Sequence, residues 1–352
     1  MDRINNLQQL LIDKHTDACL ISDPDCMHYF IQKKFHCGER MVVLLIKKTG
    51  KPVLFLNKMF PCEPTELFDL VNFDDTEDAV AILAKYVEGT IAIDKTWNAG
   101  FLLKLMSYLP EAKFINATEY SDLIRSIKSE EELEKMREAS RLNDKVMERV
   151  KTLIKVGKTE AQLRDEIDAA FLEIAHSTPS FETIVAFKEN GANPHAEPSD
   201  KVLEEGMGII IDMGCKYENY CSDMTRTFFL KENTMKEVYD TVLKANLAGI
   251  AAVKPGVRFK DIDHAARKVI EEAGYGEYFI HRLGHGIGLS VHEPYDVSAT
   301  DEIIVQPGMC FSIEPGIYLP GIGGVRIEDL VVCTKDGVEV LNHYPKDNEI
   351  VD

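Results

Sequence analysis

The amino-acid sequence predicts an α/β protein of two domains, an α/β layer over residues 1–124 and a mixed helix-and-strand domain over 125–352. Three observations carry this reading. Strand-like and helical runs alternate through the first 124 residues, a plan of two helices followed by strands occurs twice after them, and a block in the first copy is echoed in the second. The block Gly206-Met207-Gly208-Ile209-Ile210-Ile211-Asp212-Met213-Gly214 returns 102 positions later as Gly308-Met309-Cys310-Phe311-Ser312-Ile313-Glu314-Pro315-Gly316, five matches in nine.

In chain order, the N-terminus opens an amphipathic helix over 5–14 and has no uninterrupted apolar run of the signal-peptide kind. Residues 18–21, 41–46, 52–56 and 90–94 read as strands, and 77–87 and 99–108 as helices. No glycine-rich phosphate loop is visible among them. The texture changes at Arg125-Ser126-Ile127-Lys128. Ser129 with Glu132 has the form of a capping box, and Leu133, Met136, Ala139, Asn143, Val146, Val150 and Leu153 then follow helical spacing until Gly157. Thr159 and Gln162 open a second helix running to Ile174. The second copy has helices over 238–253, ended by Pro255-Gly256, and over 262–272, ended by Gly274.

The bulk composition excludes several function classes. A formal net charge of −19 on 352 residues argues against nucleic acid or an anionic membrane as partner. The acidic surface keeps the chain soluble, and bound cations would neutralise part of it. No apolar stretch approaches the ~20 residues of a membrane span. The eight cysteines are scattered without a C-x-x-C pair, the usage of reduced thiols in a cytoplasmic protein. Cys215 and Cys221 stand near Asp212 and Asp223, but they read as small strand or loop residues, since thiolate ligands come in sets.

Chemistry concentrates around the echoed acids. Asp212 and Glu314 each follow a buried apolar run, where a carboxylate is costly unless paired or bound to metal. A turn over 215–220 would bring Asp223 beside Asp212, and the glycine-rich loop over 316–324 would return the chain so that Glu328 meets Glu314. Four converging carboxylates need a counter-charge, which two divalent cations supply. Between the hairpins, His281, His285 and His292 stand at spacings of four and seven among glycines. His195 precedes the first block by 11 residues, as His292 precedes the second by 16. Singly, a strand acid is usually salt-bridged, a histidine is usually a core or surface residue, and a glycine loop is usually a turn. Their ordered combination points to a metal site. Imidazole beside carboxylates suits Mn²⁺, Co²⁺, Fe²⁺ or Zn²⁺ better than calcium.

This set resembles the pita-bread metallopeptidase family, which includes prolidase, aminopeptidase P and methionine aminopeptidase. The resemblance implies an N-terminal creatinase-type α/β domain and a C-terminal pita-bread domain with a pseudo-twofold internal repeat. Cys37-Gly38-Glu39-Arg40 before the 41–46 strand also resembles the prolidase-type N-terminal domain. A dimetal site maps onto Asp212, Asp223, His285, Glu314 and Glu328, with Asp223 and Glu328 bridging two ions, preferentially Mn²⁺. The resemblance further implies attack of a metal-bridging hydroxide on an Xaa-Pro bond, with Glu314 moving the proton. His292 and His195 would bind the carbonyl oxygen, and His281 would line the pocket after the scissile bond. Arg326 and Tyr318 would orient ligands or substrate. Short proline-containing peptides are the implied substrates, and a homodimer the implied assembly.

One departure concerns specificity. Many prolidases carry an arginine soon after the His-Glu-Pro segment to bind the dipeptide carboxylate, whereas this chain continues Pro294-Tyr295-Asp296-Val297-Ser298. Arg282, Arg326 or a group of the first domain would have to replace it. Aminopeptidase P activity on longer peptides is the alternative. A metal-free creatinase-like hydrolase and a non-catalytic peptide-binding relative are disfavoured because all five ligand positions are filled. Methionine aminopeptidase is disfavoured by the ~120 residues preceding the catalytic region.

Overall fold

The computed structural model describes residues 2–347 and 349–351. Met1, first residue of the expected N-terminal domain, and Asp352, last of the expected second domain, lie outside the described residues. The chain is mixed α/β and separates into two compact units, Met1–Arg125 and Ser126–Asp352.

The first unit is a six-stranded sheet, ordered β4-β3-β2-β1-β5-β6. Its strands are β1 (Ala18–Ile21), β2 (Val42–Lys47), β3 (Val53–Asn57), β4 (Asp69–Phe73), β5 (Thr90–Ile93) and β6 (Lys113–Asn116). Helices α1 (Asp2–Asp13), α2 (Pro24–Ile31), α3 (Ala79–Ala84), α4 (Ala99–Tyr108) and α5 (Thr118–Ser126) complete it. β1 pairs antiparallel with β2 and parallel with β5. Leu20, Val43, Leu45, Phe55, Leu83, Ile91 and Leu105 form part of its core.

The second unit repeats one architecture twice. In the first copy, α6 (Glu130–Leu153) and α7 (Glu160–Ile174) begin at the expected capping boxes, both of whose hydrogen bonds are made at Ser129/Glu132 and at Thr159/Gln162. Such caps contribute about 1 kcal/mol each. These helices pack Val146, Val150, Leu163, Ile167 and Phe171 against a sheet ordered β19-β11-β8-β7. Its strands are β7 (Ile184–Phe187), β8 (Gly208–Met213), β11 (Met224–Leu230) and β19 (Glu349–Val351), with the small hairpin β9 (Lys216–Tyr217) and β10 (Tyr220–Cys221) between β8 and β11. In the second copy, α8 (Lys236–Ala252) and α9 (Phe259–Glu272) pack Val242, Ala245, Ile262 and Ala266 against a sheet ordered β13-β12-β14-β17-β18. That sheet comprises β12 (Gly284–Gly286), β13 (Glu293–Val297), β14 (Cys310–Ile313), β17 (Asp329–Cys333) and β18 (Val338–Val340). A separate hairpin, β15 (Gly316–Leu319) with β16 (Gly323–Arg326), joins β14 to β17. The echoed blocks are therefore β8 and β14, each a strand paired on both sides beneath a helix pair. Among the described residues no helix is long and apolar enough to cross a membrane.

Candidate active site

Strand register decides which acids meet. β8 and β11 pair antiparallel with Asp212 opposite Thr225 and Met213 opposite Met224, so Asp223 stands one step beyond the ladder. The excursion through β9 and β10 causes this offset. Its turn is closed by Glu218 and Asn219, both at positive φ, the two-residue geometry of a tight hairpin. In the second copy β14 pairs with β17 through Ile313 and Asp329, which leaves Glu314 and Glu328 as the next residues on either side. The two copies touch where Thr225 Oγ1 donates to Glu328 Oε2 at 2.7 Å and Glu328 N donates to Thr225 O at 3.1 Å. His285 is centred in β12, and any side chain at Gly284 would overlap Ser312 O.

Asp223, His285 and Glu328 offer ligand atoms within 4.8 Å of one another, all buried. His285 Nε2 lies 3.4 Å from Glu314 Oε1 and 3.7 Å from Asp223 Oδ2. Asp212 joins through Arg326, whose Nη2 donates to Asp212 Oδ2 at 2.8 Å. The structure thus gathers Asp212, Asp223, His285, Glu314 and Glu328 along one wall of a cavity of about 970 Å³. His195, His281, Arg282, His292 and Arg326 line it as well. The His292 ring centroid is 4.3 Å from that of His285. Cys215 and Cys221 are not in the ligand cluster. Their thiols lie against Ala139 O and Leu289 O.

The donor set fits a divalent cation. Burial, then the charge of His292, lowers His285 to about 3, so its ring is neutral. Its Nδ1 faces Gly286 O at 3.1 Å, and a carbonyl can only accept, so Nδ1 carries the proton. The lone pair on Nε2 therefore points toward Glu314 and Asp223, the arrangement of a histidine that a cation between them would satisfy. Asp212 Oδ1 and Asp223 Oδ1 are also buried and find no hydrogen-bond partner among the described residues.

A similar proton count applies to His281. Burial, with Arg326 next, lowers His281 to about 4. Its Nδ1 donates to Arg282 O at 2.7 Å, so Nε2 accepts from the Tyr318 hydroxyl at 2.9 Å. Tyr318 then accepts from Arg326 Nη1 at 3.0 Å, and the chain ends at Asp212. Every proton in this row is committed, so His281 presents only its ring to the cavity.

Burial raises Asp223 and Glu328 well above the carboxylate range, assisted by their acidic neighbours, and brings Glu314 to about 7. For carboxylates raised in this way, folded and unfolded states are both protonated in acid. As pH rises through ~4 the unfolded chain ionises first, so stability falls with pH until the folded groups ionise too. A bound cation removes that penalty. The rise in melting temperature on adding Mn²⁺ to chelator-stripped protein should therefore be larger at pH ~7.5 than at pH ~5.5, read by scanning calorimetry. Equal shifts at both pH values would refute this.

Sequence reasoning missed Thr225, which bonds Glu328 and also accepts from Arg326 Nε at 3.0 Å. Its ladder position opposite Asp212 was the available signal. It also missed the Arg164, Asp168 and Thr183 side of the cavity, where Thr183 donates to Asp168 at 2.7 Å. No local motif marks those residues.

The model of metallopeptidase family M24 matches residues 134–335, and that of the creatinase/prolidase N-terminal domain matches residues 3–127. An uncharacterized peptidase of Staphylococcus aureus strain USA300 is 39% identical, over 98% of this chain and 100% of its own. A crystal structure of a dipeptidase from Pyrococcus horikoshii OT3 superposes with a TM-score of 0.91 at 35% identity, covering 99% of both chains. The structure of an Xaa-Pro dipeptidase from Bacillus anthracis gives 0.89 at 30% identity, again over 99% of both.

Proposed function

The chain belongs to metallopeptidase family M24, and from that premise we propose that it hydrolyses Xaa-Pro dipeptides at a centre of two divalent cations. Asp212, Asp223, His285, Glu314 and Glu328 would hold the ions. Manganese is the proposed metal, and the carboxylate-and-imidazole donors also admit Co²⁺, Zn²⁺ and Fe²⁺. Bound cations lower the pKa of water toward neutrality and polarise a carbonyl oxygen. The observation that carries the reading is the neutral His285 lone pair aimed at buried carboxylates on one wall of the cavity. A cytoplasmic homodimer belongs to the same proposal, the compartment resting on the scattered unpaired cysteines and the dimer on the resemblance alone.

The chain's own groups then act as follows. Glu314 takes a proton from the attacking water as its oxygen bonds to the carbonyl carbon. It passes that proton to the leaving nitrogen as the C–N bond breaks, giving a free acid and an amine. His292 and His195 hydrogen-bond the carbonyl oxygen as negative charge builds on it. The committed ring of His281 packs against the residue after the scissile bond, where proline offers no N–H to satisfy. Arg326 holds Asp212 in place.

Recognition of the dipeptide carboxylate falls to Arg282. Arg326 is occupied by Asp212, Thr225, Tyr318 and Pro194 O, and Arg164 faces Asp165 and Asp168. In the Arg282 guanidinium, Nη1 alone is engaged among the described residues, by Asp296. Asp296 also weakens the pull on a second carboxylate, and that observation favours the aminopeptidase reading. The deciding experiment compares Xaa-Pro dipeptides with Xaa-Pro-Xaa tripeptides before and after Mn²⁺ is restored to stripped enzyme. Mn²⁺-dependent dipeptide cleavage is expected. Arg282→Met should raise KM about tenfold or more for dipeptides only, the size of a lost charged hydrogen bond. Cleavage confined to tripeptides would overturn the dipeptidase reading, and no gain with Mn²⁺ or Co²⁺ would overturn the metal dependence.

A further inference from the structure

We propose that residues 128–132 form a strap that positions the His292 loop for turnover, through a buried ion pair between Lys128 and Glu293. The inference rests on the role of His292 proposed above.

Lys128 Nζ lies 3.0 Å from Glu293 Oε2, with the two side chains 2% and 3% exposed. The other oxygen of Glu293 accepts from Leu289 N at 3.0 Å and from Ser290 N at 3.3 Å. One carboxylate thus ties together both ends of the turn that presents His292. The strap itself is fixed from behind. Lys128 N donates to Gly308 O at 2.9 Å, and Gly308 sits at φ +89°, where an added Cβ would press to 3.0 Å from Lys128 O.

The strap reaches the other side of the centre too. Glu132 accepts from Ser129 N at 2.8 Å and from the Tyr220 hydroxyl at 2.7 Å. Tyr220 opens the short strand that delivers Asp223, and Cys221 N donates to Gly288 O at 2.7 Å. Strap, histidine loop and Asp223 hairpin therefore close a ring of contacts. Neither Lys128 nor Glu293 lines the cavity, so both are positioning residues.

A buried ion pair can often be exchanged for uncharged groups of similar shape with little loss of stability, whereas removing one partner alone strands a charge. The test is therefore the double variant Lys128→Met/Glu293→Gln, in which the amide oxygen introduced in place of the carboxylate still accepts from Leu289 N and Ser290 N. It is measured beside Lys128→Met, His292→Gln and the triple variant, on the peptide that wild type cleaves fastest. Melting temperature, bound Mn²⁺ and calorimetric binding of a phosphinic analogue of that peptide are read alongside kcat and KM. We expect the double variant to fold and hold Mn²⁺ like wild type. Its kcat should fall on the order of 10- to 100-fold with KM little changed, as for a displaced catalytic group, and its affinity for the analogue should fall in parallel. On the His292→Gln background the same pair of changes should cost almost nothing more. A double variant with wild-type kcat while His292→Gln is impaired would overturn the strap and leave the His292 role standing, as would losses that multiply in the triple variant. Wild-type kcat in His292→Gln would overturn the His292 assignment and the strap with it.

Discussion

Glu314→Gln is expected to lower kcat by about 10²- to 10⁴-fold with little change in KM, the range for removing a general acid–base group. That loss corresponds to about 3–5 kcal/mol of transition-state stabilisation. Glutamine preserves the shape and a neutral ligand oxygen but cannot take a proton from water. Glu314 suits the transfer because it follows β14 directly, keeps 16% of its side chain exposed to the cavity, and lies 3.4 Å from His285. Metal content, measured on the same sample, separates loss of proton transfer from loss of an ion. Turnover within about tenfold of wild type at normal metal content would remove Glu314 from the proton path.

Asp329→Asn should give the largest loss of stability, about 3–5 kcal/mol, because it leaves the buried guanidinium of Arg226, and the partly exposed ammonium of Lys346, without their anion. Asp329 is fully buried and pairs with Arg226 Nη2 at 2.9 Å and Lys346 Nζ at 2.7 Å. Arg226 spends its remaining donors on Thr225 O, Glu328 O, Tyr344 O and Pro345 O, so the pair also sets the corner from which Glu328 projects. A melting temperature lower by roughly 10 °C follows from the usual entropy of a unit this size. Burial alone would raise Asp329, but Arg226 and Lys346 together hold it below the ordinary carboxylate value. A depressed carboxylate stabilises above its unfolded pKa, and the benefit is lost as pH falls through the folded value. The gap between wild type and Asp329→Asn should therefore be full at pH ~6 and close below pH ~4. A melting temperature within about 3 °C of wild type at pH ~6 would refute the assignment.

The acids and histidines that line the cavity were legible as a group because their setting is abnormal for their chemistry. Asp212 and Glu314 close apolar strands, and the repeat showed that this was no accident of one strand. Helix starts were legible where the cap is local, as at Ser129 and Thr159. Elements that depend on distant partners were not. β4 and β6 are the edges of the first sheet, with largely uncovered faces, so Asp69-Leu70-Val71-Asn72-Phe73 and Lys113-Phe114-Ile115-Asn116 show little alternation. The eight-residue α2 is too short for periodicity, although Asp23 as its cap and Pro24 at its first turn were readable signals. The Lys128–Glu293 pair joins residues 165 apart, and no sequence pattern links them.

The equivalence of β8 and β14 has a consequence for how a peptide can lie in the cavity. The glycines ending the two echoed blocks, Gly214 and Gly316, have different residues across the ladder. Beyond Met213–Met224 the first faces Asp223, while the second pairs with Arg326. Likewise Asp212 faces Thr225, whereas Glu314 stands beside Glu328. A perfectly twofold chamber would meet a peptide and the same peptide reversed with the same groups, and could not tell one end from the other. Placing a guanidinium where the other half has a carboxylate gives the chamber a head and a tail. Chain direction, which a peptidase working from one end of its substrate would have to read, has a physical basis in this mismatch between the copies.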